Sequence, residues 1–172
     1  ISACLVGSEM CIRDRDSGRF LEFPARYLAV PDSSAWVFPQ DFMSLGLGIG
    51  AAVGASAARP DRLTVAVVGD GGMMMSLGEL DTVVRYKLPM LIVVVNDHAY
   101  GPEVEMLEHH DMPIDHAIFD DVDFAAVARD MGAKGITLRK EGDIDQIRPW
   151  IEAPIGPMVV DCKIDPMFKS EH

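Results

Sequence analysis

Residues 67–101 read "VVGDGGMMMSLGELDTVVRYKLPMLIVVVNDHAYG". Two apolar, β-branched runs end at Gly69 and Asn96, and each leads straight into a carboxylate, Asp70 or Asp97. Runs of this composition are strands buried on both faces of a parallel sheet. Between them, Leu80, Val83 and Val84 recur at helical intervals behind Ser76-Leu77-Gly78-Glu79. That capping-box spacing predicts a helix from there to about Lys87, stopped before Pro89.

The alternation continues outward. "AWVF" (35–38) predicts a short strand, and 42–58 a helix of small residues ended by Arg59-Pro60-Asp61. "RLTVAVVG" (62–69) is the first strong strand and "MLIVVV" (90–95) the second. "DFAAVARDMGA" (123–133) predicts a helix with Asp123 as N-cap and Gly132 as its stop. "GITLR" and "PMVVDCKI" predict two further strands, with a helix over 143–151 between them. The fold class expected is α/β: a three-layer sandwich with a mainly parallel sheet and helices on both faces. Residues 98–122, broken by Pro and Gly and without a clean period, predict a long loop of the kind that carries function.

At 172 residues the chain is one domain with room for a core. A hydrophobic content of 49% fits a globular protein. The net charge of −12, with no basic cluster, argues against nucleic acid or an anionic membrane as partner. Gly46, Gly50 and Gly54 form a small-residue face within 42–58. The stretch is too poor in leucine for a membrane span, so the expectation is a soluble helix packed closely on a neighbouring backbone.

The first fifteen residues stand apart. "VGSEMCIRDR" (6–15) resembles a translated sequencing-library adapter of the kind found in reading frames from metagenomic reads, and it lacks periodicity and caps. Glu9, Arg13, Asp14 and Arg15 are incompatible with a signal peptide. Residues 1–15 are therefore set outside the expected fold, and the domain is taken as 16–172, with its first strand expected to be missing. Cys162 is then the single native cysteine, which points to a reducing, cytoplasmic compartment.

Ligands of parallel α/β sheets bind at the carboxyl ends of the strands, where Gly69-Asp70-Gly71-Gly72 sits. A dinucleotide-binding turn is excluded because position 74 is Met74, not glycine. Asp70 would also face a pyrophosphate: two like charges about 4 Å apart cost roughly 4 kcal/mol at an effective dielectric near ~20. No G-K-[ST] follows for a Walker loop. A carboxylate in a phosphate cradle calls for a cation between them. Asp70 and Asp97 therefore suggest ligands for a hard ion such as Mg2+, which takes carboxylates, carbonyls, water and phosphates. Read singly, each Asp is equally well a turn former or cap.

Gly69-Asp70-Gly71, then residues 72–95, then Asn96-Asp97, resembles the signature of thiamine diphosphate enzymes. "GELDTVVRYKLPMLIVVVND" with "AYG" is similar to the acetolactate synthase, benzoylformate decarboxylase and oxalyl-CoA decarboxylase group. "FMSLGLGIGAAVGASAARPD" resembles the glycine-rich helix before that motif, and "GPMVVDCKIDP" the closing strand. The resemblance implies a thiamine diphosphate-binding fold over roughly 16–168. It implies thiamine diphosphate and Mg2+ as cofactors, with Asp70, Asp97 and the Ala99 carbonyl holding the metal.

By the same resemblance, Gly71 and Gly72 amides would touch the diphosphate, with Gly69, Tyr100 and Gly101 completing the cradle. Leu45 would lie under the thiazolium ring, and the Met43 carbonyl would accept from the cofactor's amino group. Asp97 stands where Asn is more common, which should tighten Mg2+ binding. The activating glutamate is expected on a pyrimidine-binding domain of a second subunit, absent from these residues, in a homodimer or homotetramer. No catalytic residue is therefore expected here, and the piece should be inactive alone. The implied reaction is decarboxylation or carboligation of a small 2-oxo acid or related acyl substrate. Substrate contacts are expected within 98–122, from His98, Tyr100, Glu103, His109, His110 and His116. His109-His110-Asp111 is read as solvated loop rather than a metal site. The alternatives are a Mg2+-dependent phosphotransfer or phosphatase domain, weakened by Gly72 where a second catalytic Asp would stand, and a non-catalytic module retaining the fold.

Overall fold

In the computed structural model, residues 11–15, 18, 20, 22–27, 30, 32–38 and 44–165 are described. The strands are β1 (Cys11–Arg15), β2 (Trp36–Val37), β3 (Leu63–Gly69), β4 (Met90–Asn96), β5 (Lys134–Leu138) and β6 (Met158–Lys163). The helices are α1 (Glu22–Tyr27), α2 (Gly48–Ala58), α3 (Asp70–Met75), α4 (Glu79–Arg85), α5 (Gly101–His109), α6 (Phe124–Asp130) and α7 (Arg148–Glu152). The sheet runs β2-β1-β3-β4-β6-β5, and every pairing is parallel.

Alternate strand residues serve opposite layers. Ala66, Val68, Ile92, Val94 and Val159 pack with Ile49, Leu80, Val83 and Phe124 from α2, α4 and α6. Val65, Val67, Leu91, Met158 and Val160 pack on the other face with Phe20, Ile147 and Trp150. The expected three-layer α/β sandwich is present. Among the described residues no helix is long and apolar enough to cross a membrane.

The Asp123 cap forms, accepting from the Ala126 amide at 2.9 Å, and Gly132 stops that helix at φ +96°. Four expectations are corrected. The capping box at Ser76 is absent: Gly71–Gly72 already turn helical, so Ser76 caps the end of α3 and donates to the Gly72 carbonyl at 2.7 Å. The 98–122 loop contains a helix, α5. Pro102, read as a break, sits in its first turn, where a missing N–H costs nothing. The 143–151 helix divides into a 3-10 turn, Glu141–Ile147, and α7, with Pro149 opening the second piece.

Glycine accounts for the fourth correction. The small-residue helix starts only at Gly48, because Gly46 at φ +80° turns the chain just before it. Gly50 and Gly54 approach no described neighbour, so their face is open rather than tightly packed. Part of the segment set outside the expected domain is among the described residues. Cys11–Arg15 forms β1 between β2 and β3, with Cys11 level with Leu63 and Arg15 with Val67. An open parallel strand edge pairs through backbone groups, so an extended segment needs no apolar alternation to join it.

Candidate functional site

The register of β3 and β4 brings the two acidic turns side by side. Gly69 lies opposite Val95, so Asp70 and Asn96-Asp97 emerge together at the carboxyl edge of the sheet. Asp70 opens α3 and is only 5% exposed, and Asp97 only 7%. Burial, then the negative charge of Asp97, push the Asp70 carboxyl up to about 6, against backbone N–H groups including those of Gly71 and His98. The Gly71 amide donates to Asp70 Oδ1 at 2.9 Å. Two buried carboxylates that resist joint ionisation create local demand for a positive charge.

The first turn is a glycine cradle. Gly71 and Gly72 are buried, and a Cβ on Gly71 would stand 2.3 Å from the Tyr100 ring. Tyr100 meets Phe119 edge-on at 4.5 Å. Asp70, Gly71, Asn96, Tyr100, Phe119 and Val122 are among the walls of a cavity of about 160 Å³. Gly101 is buried at the start of α5, and Ala99 is half-buried in an antiparallel bridge to Ile118. Leu45 is half-buried in the turn before α2. A Cβ on its neighbour Gly46 would come within 2.8 Å of Met75, so this turn lies against the end of α3. Met43 falls outside the described residues.

Of the expected substrate contacts, Tyr100 lines the cavity; His98 does not, and its Nδ1 lies 3.7 Å from Asp121 Oδ1. Glu103, His109, His110 and His116 are exposed and do not line it. No group of three His, Cys, Asp or Glu side chains able to hold a metal exists among the described residues. A cation at Asp70 and Asp97 would have to complete its shell with carbonyl, water or phosphate oxygens, the set that suits Mg2+. The residues present therefore fit a Mg2+-bound diphosphate.

The sequence reading missed the residues behind this site. Asn96 is buried and donates to Asp161 Oδ1 at 3.0 Å and to the Val122 carbonyl at 3.2 Å. Asp161 is fully buried on β6 and also accepts from the Phe124 amide at 3.0 Å. The signal was available: an Asp and a Lys inside the otherwise apolar "PMVVDCKI" require buried partners. Lys163 pairs with Asp121 and Asp161.

A doubly covered parallel sheet with a carboxylate pair and a glycine turn at its carboxyl edge defines an α/β domain suited to a cation-bridged phosphate ligand. Comparison with known proteins makes this specific. The chain belongs to the thiamine pyrophosphate enzyme family through its C-terminal TPP binding domain, whose family model matches residues 16–162. The cofactor implied by the motif is the one this family binds. The chain is 28% identical over 153 residues to the acetolactate synthase large subunit of Porphyra purpurea, covering 87% of this chain and 26% of that protein. It is 31% identical over 134 residues to 2-hydroxyacyl-CoA lyase of Arabidopsis thaliana, covering 74% of this chain and 23% of the relative. The fold matches that of a thiamine diphosphate-dependent 4-hydroxybenzoylformate decarboxylase from Rhodococcus jostii RHA1. The TM-score is 0.83 at 21% identity, over 95% of this chain and 31% of that one. The chain thus spans about a quarter of the length of these curated relatives.

Proposed function

We propose that this chain is the Mg2+- and diphosphate-holding part of a thiamine diphosphate-dependent decarboxylase or carboligase similar to acetolactate synthase, acting on a small 2-oxo acid or related acyl donor. The observation that carries the reading is the pair of buried carboxylates, Asp70 and Asp97, at the ends of adjacent strands beside the Gly71–Gly72 turn. Asp70, Asp97 and the Ala99 carbonyl hold the Mg2+. Gly71 and Gly72 let the diphosphate reach the backbone, and Gly69, Tyr100 and Gly101 close the cradle. Leu45 supports the thiazolium ring. When bound, the cofactor supplies the nucleophile and the electron sink for cleavage beside a carbonyl. The chain's own residues bind, orient and neutralise charge. The glutamate that would act on the cofactor's aminopyrimidine is assigned to a pyrimidine-binding domain of a second subunit, on which activity would depend.

The test is calorimetric titration of the 172-residue chain with inorganic pyrophosphate, with and without Mg2+, beside Asp97→Ala. Binding should require Mg2+ and be lost in the variant. Binding that ignores both Mg2+ and Asp97 would sink the reading.

A further inference from the structure

The turn carrying Asp97 is held from behind. His98 sits at φ +60°, a left-handed conformation that disfavours a side chain. It is fastened on both sides: its N–H donates to Asn96 Oδ1 at 3.3 Å, and its carbonyl accepts from the Phe119 amide at 2.7 Å. Asn96 is in turn fixed by Asp161, and Asp161 by Lys163 Nζ at 3.0 Å. Lys163, its side chain only 7% exposed, reaches on to the Val122 carbonyl at 2.6 Å and to Asp121. One continuous chain of polar contacts therefore runs from β6 through Asn96 to the turn that carries Asp97. It also ties down segment 119–124, which forms the cavity's far wall.

A buried ion pair adds little net stability over a well-packed apolar pair. Geometry is what this one supplies. Resting on the Mg2+-diphosphate reading above, we infer that Asp161 and Lys163 are positioning residues of the cation site. Through Asn96 they fix the 97–99 turn so that the Asp97 carboxylate and the Ala99 carbonyl meet one ion.

The probe is Mn2+ with inorganic pyrophosphate, bound to the full 172-residue chain and followed by electron paramagnetic resonance, with metal-free melting measured in parallel. Asp161→Asn is expected to weaken Mn2+ binding on the order of 10-fold and to broaden the spectrum as the ligand geometry loosens. Val159→Ala opens a cavity on the same strand without touching the network. It should lower the melting temperature while leaving affinity and spectrum as in the wild type. If Asp161→Asn does not fold, the neutral pair Asp161→Asn/Lys163→Met carries the same expectation. An unchanged affinity and spectrum in a folded network variant overturns the inference, as does an equal loss in Val159→Ala. If the wild type binds no Mn2+, or Asp97→Ala binds as the wild type does, the underlying reading has failed and the inference falls with it.

Discussion

The two acidic turns end adjacent strands and face one cavity, yet they are built in opposite ways. The Gly69–Gly72 turn is local. Gly69 is extended, Asp70 begins α3 at once, and its carboxylate takes the amide of the next residue. The Asn96–Tyr100 turn depends on distant partners. Asn96 needs Asp161 and Val122, the Tyr100 amide donates to Ala117 at 2.9 Å, and His98 is held out of its preferred backbone region. A turn made from neighbours can be read in a sequence; one made from remote contacts cannot.

The sharpest way to separate the turns is Asp70→Asn. Asp70 binds its proton more tightly in the folded chain, at about 6, than its ordinary value of 3.8. This group's stabilisation is therefore complete below about pH 4 and is lost as pH rises through 6. Ionising this carboxyl in the folded chain costs on the order of 2 kcal/mol. The metal-free Asp70→Asn chain should accordingly melt higher than the wild type at pH 8 and no higher at pH 3.5, while losing Mg2+-dependent pyrophosphate binding. Equal melting curves at both pH values would remove the electrostatic account of the pair.

A smaller effect tests where the turns touch. Gly71→Ala drives a methyl into the Tyr100 ring and should destabilise the chain by about 2 kcal/mol in urea denaturation. Tyr100→Ala in the same chain should recover most of that loss. Failure of the second change to compensate would mean that Gly71 is needed for its backbone rather than for the ring above it. Smallest is His98→Gly, which relieves the left-handed strain and should change stability by less than ~1 kcal/mol. It should raise hydrogen exchange at the Tyr100 and Phe119 amides while leaving Gly71 untouched. Faster exchange at both turns would show that they are one unit, not two.

Much of the fold was legible because strands buried on both faces must be apolar throughout, as Leu63–Gly69 and Met90–Asn96 are. The helices were less so. Pro102 looks the same in sequence whether it breaks a helix or starts one, and only the stop of β4 at Asn96 decides that α5 follows. Ser76-Leu77-Gly78-Glu79 carried a capping signal that the preceding helix overrode.

The sequence by itself determined the layered α/β class, the two strand-end carboxylates and, through motif resemblance, the cofactor family. All of these are written in short-range pattern: period, glycine placement and the spacing of Asp70 and Asn96-Asp97. Tertiary structure alone decided that Asp161 and Lys163 stand behind Asn96, that Tyr100 lies over Gly71, and that Cys11–Arg15 fills a place beside β3. The physical reason is distance along the chain. A buried charge announces only that it must have partners; which ones it finds depends on strand order, and strand order exists only once the sheet has assembled.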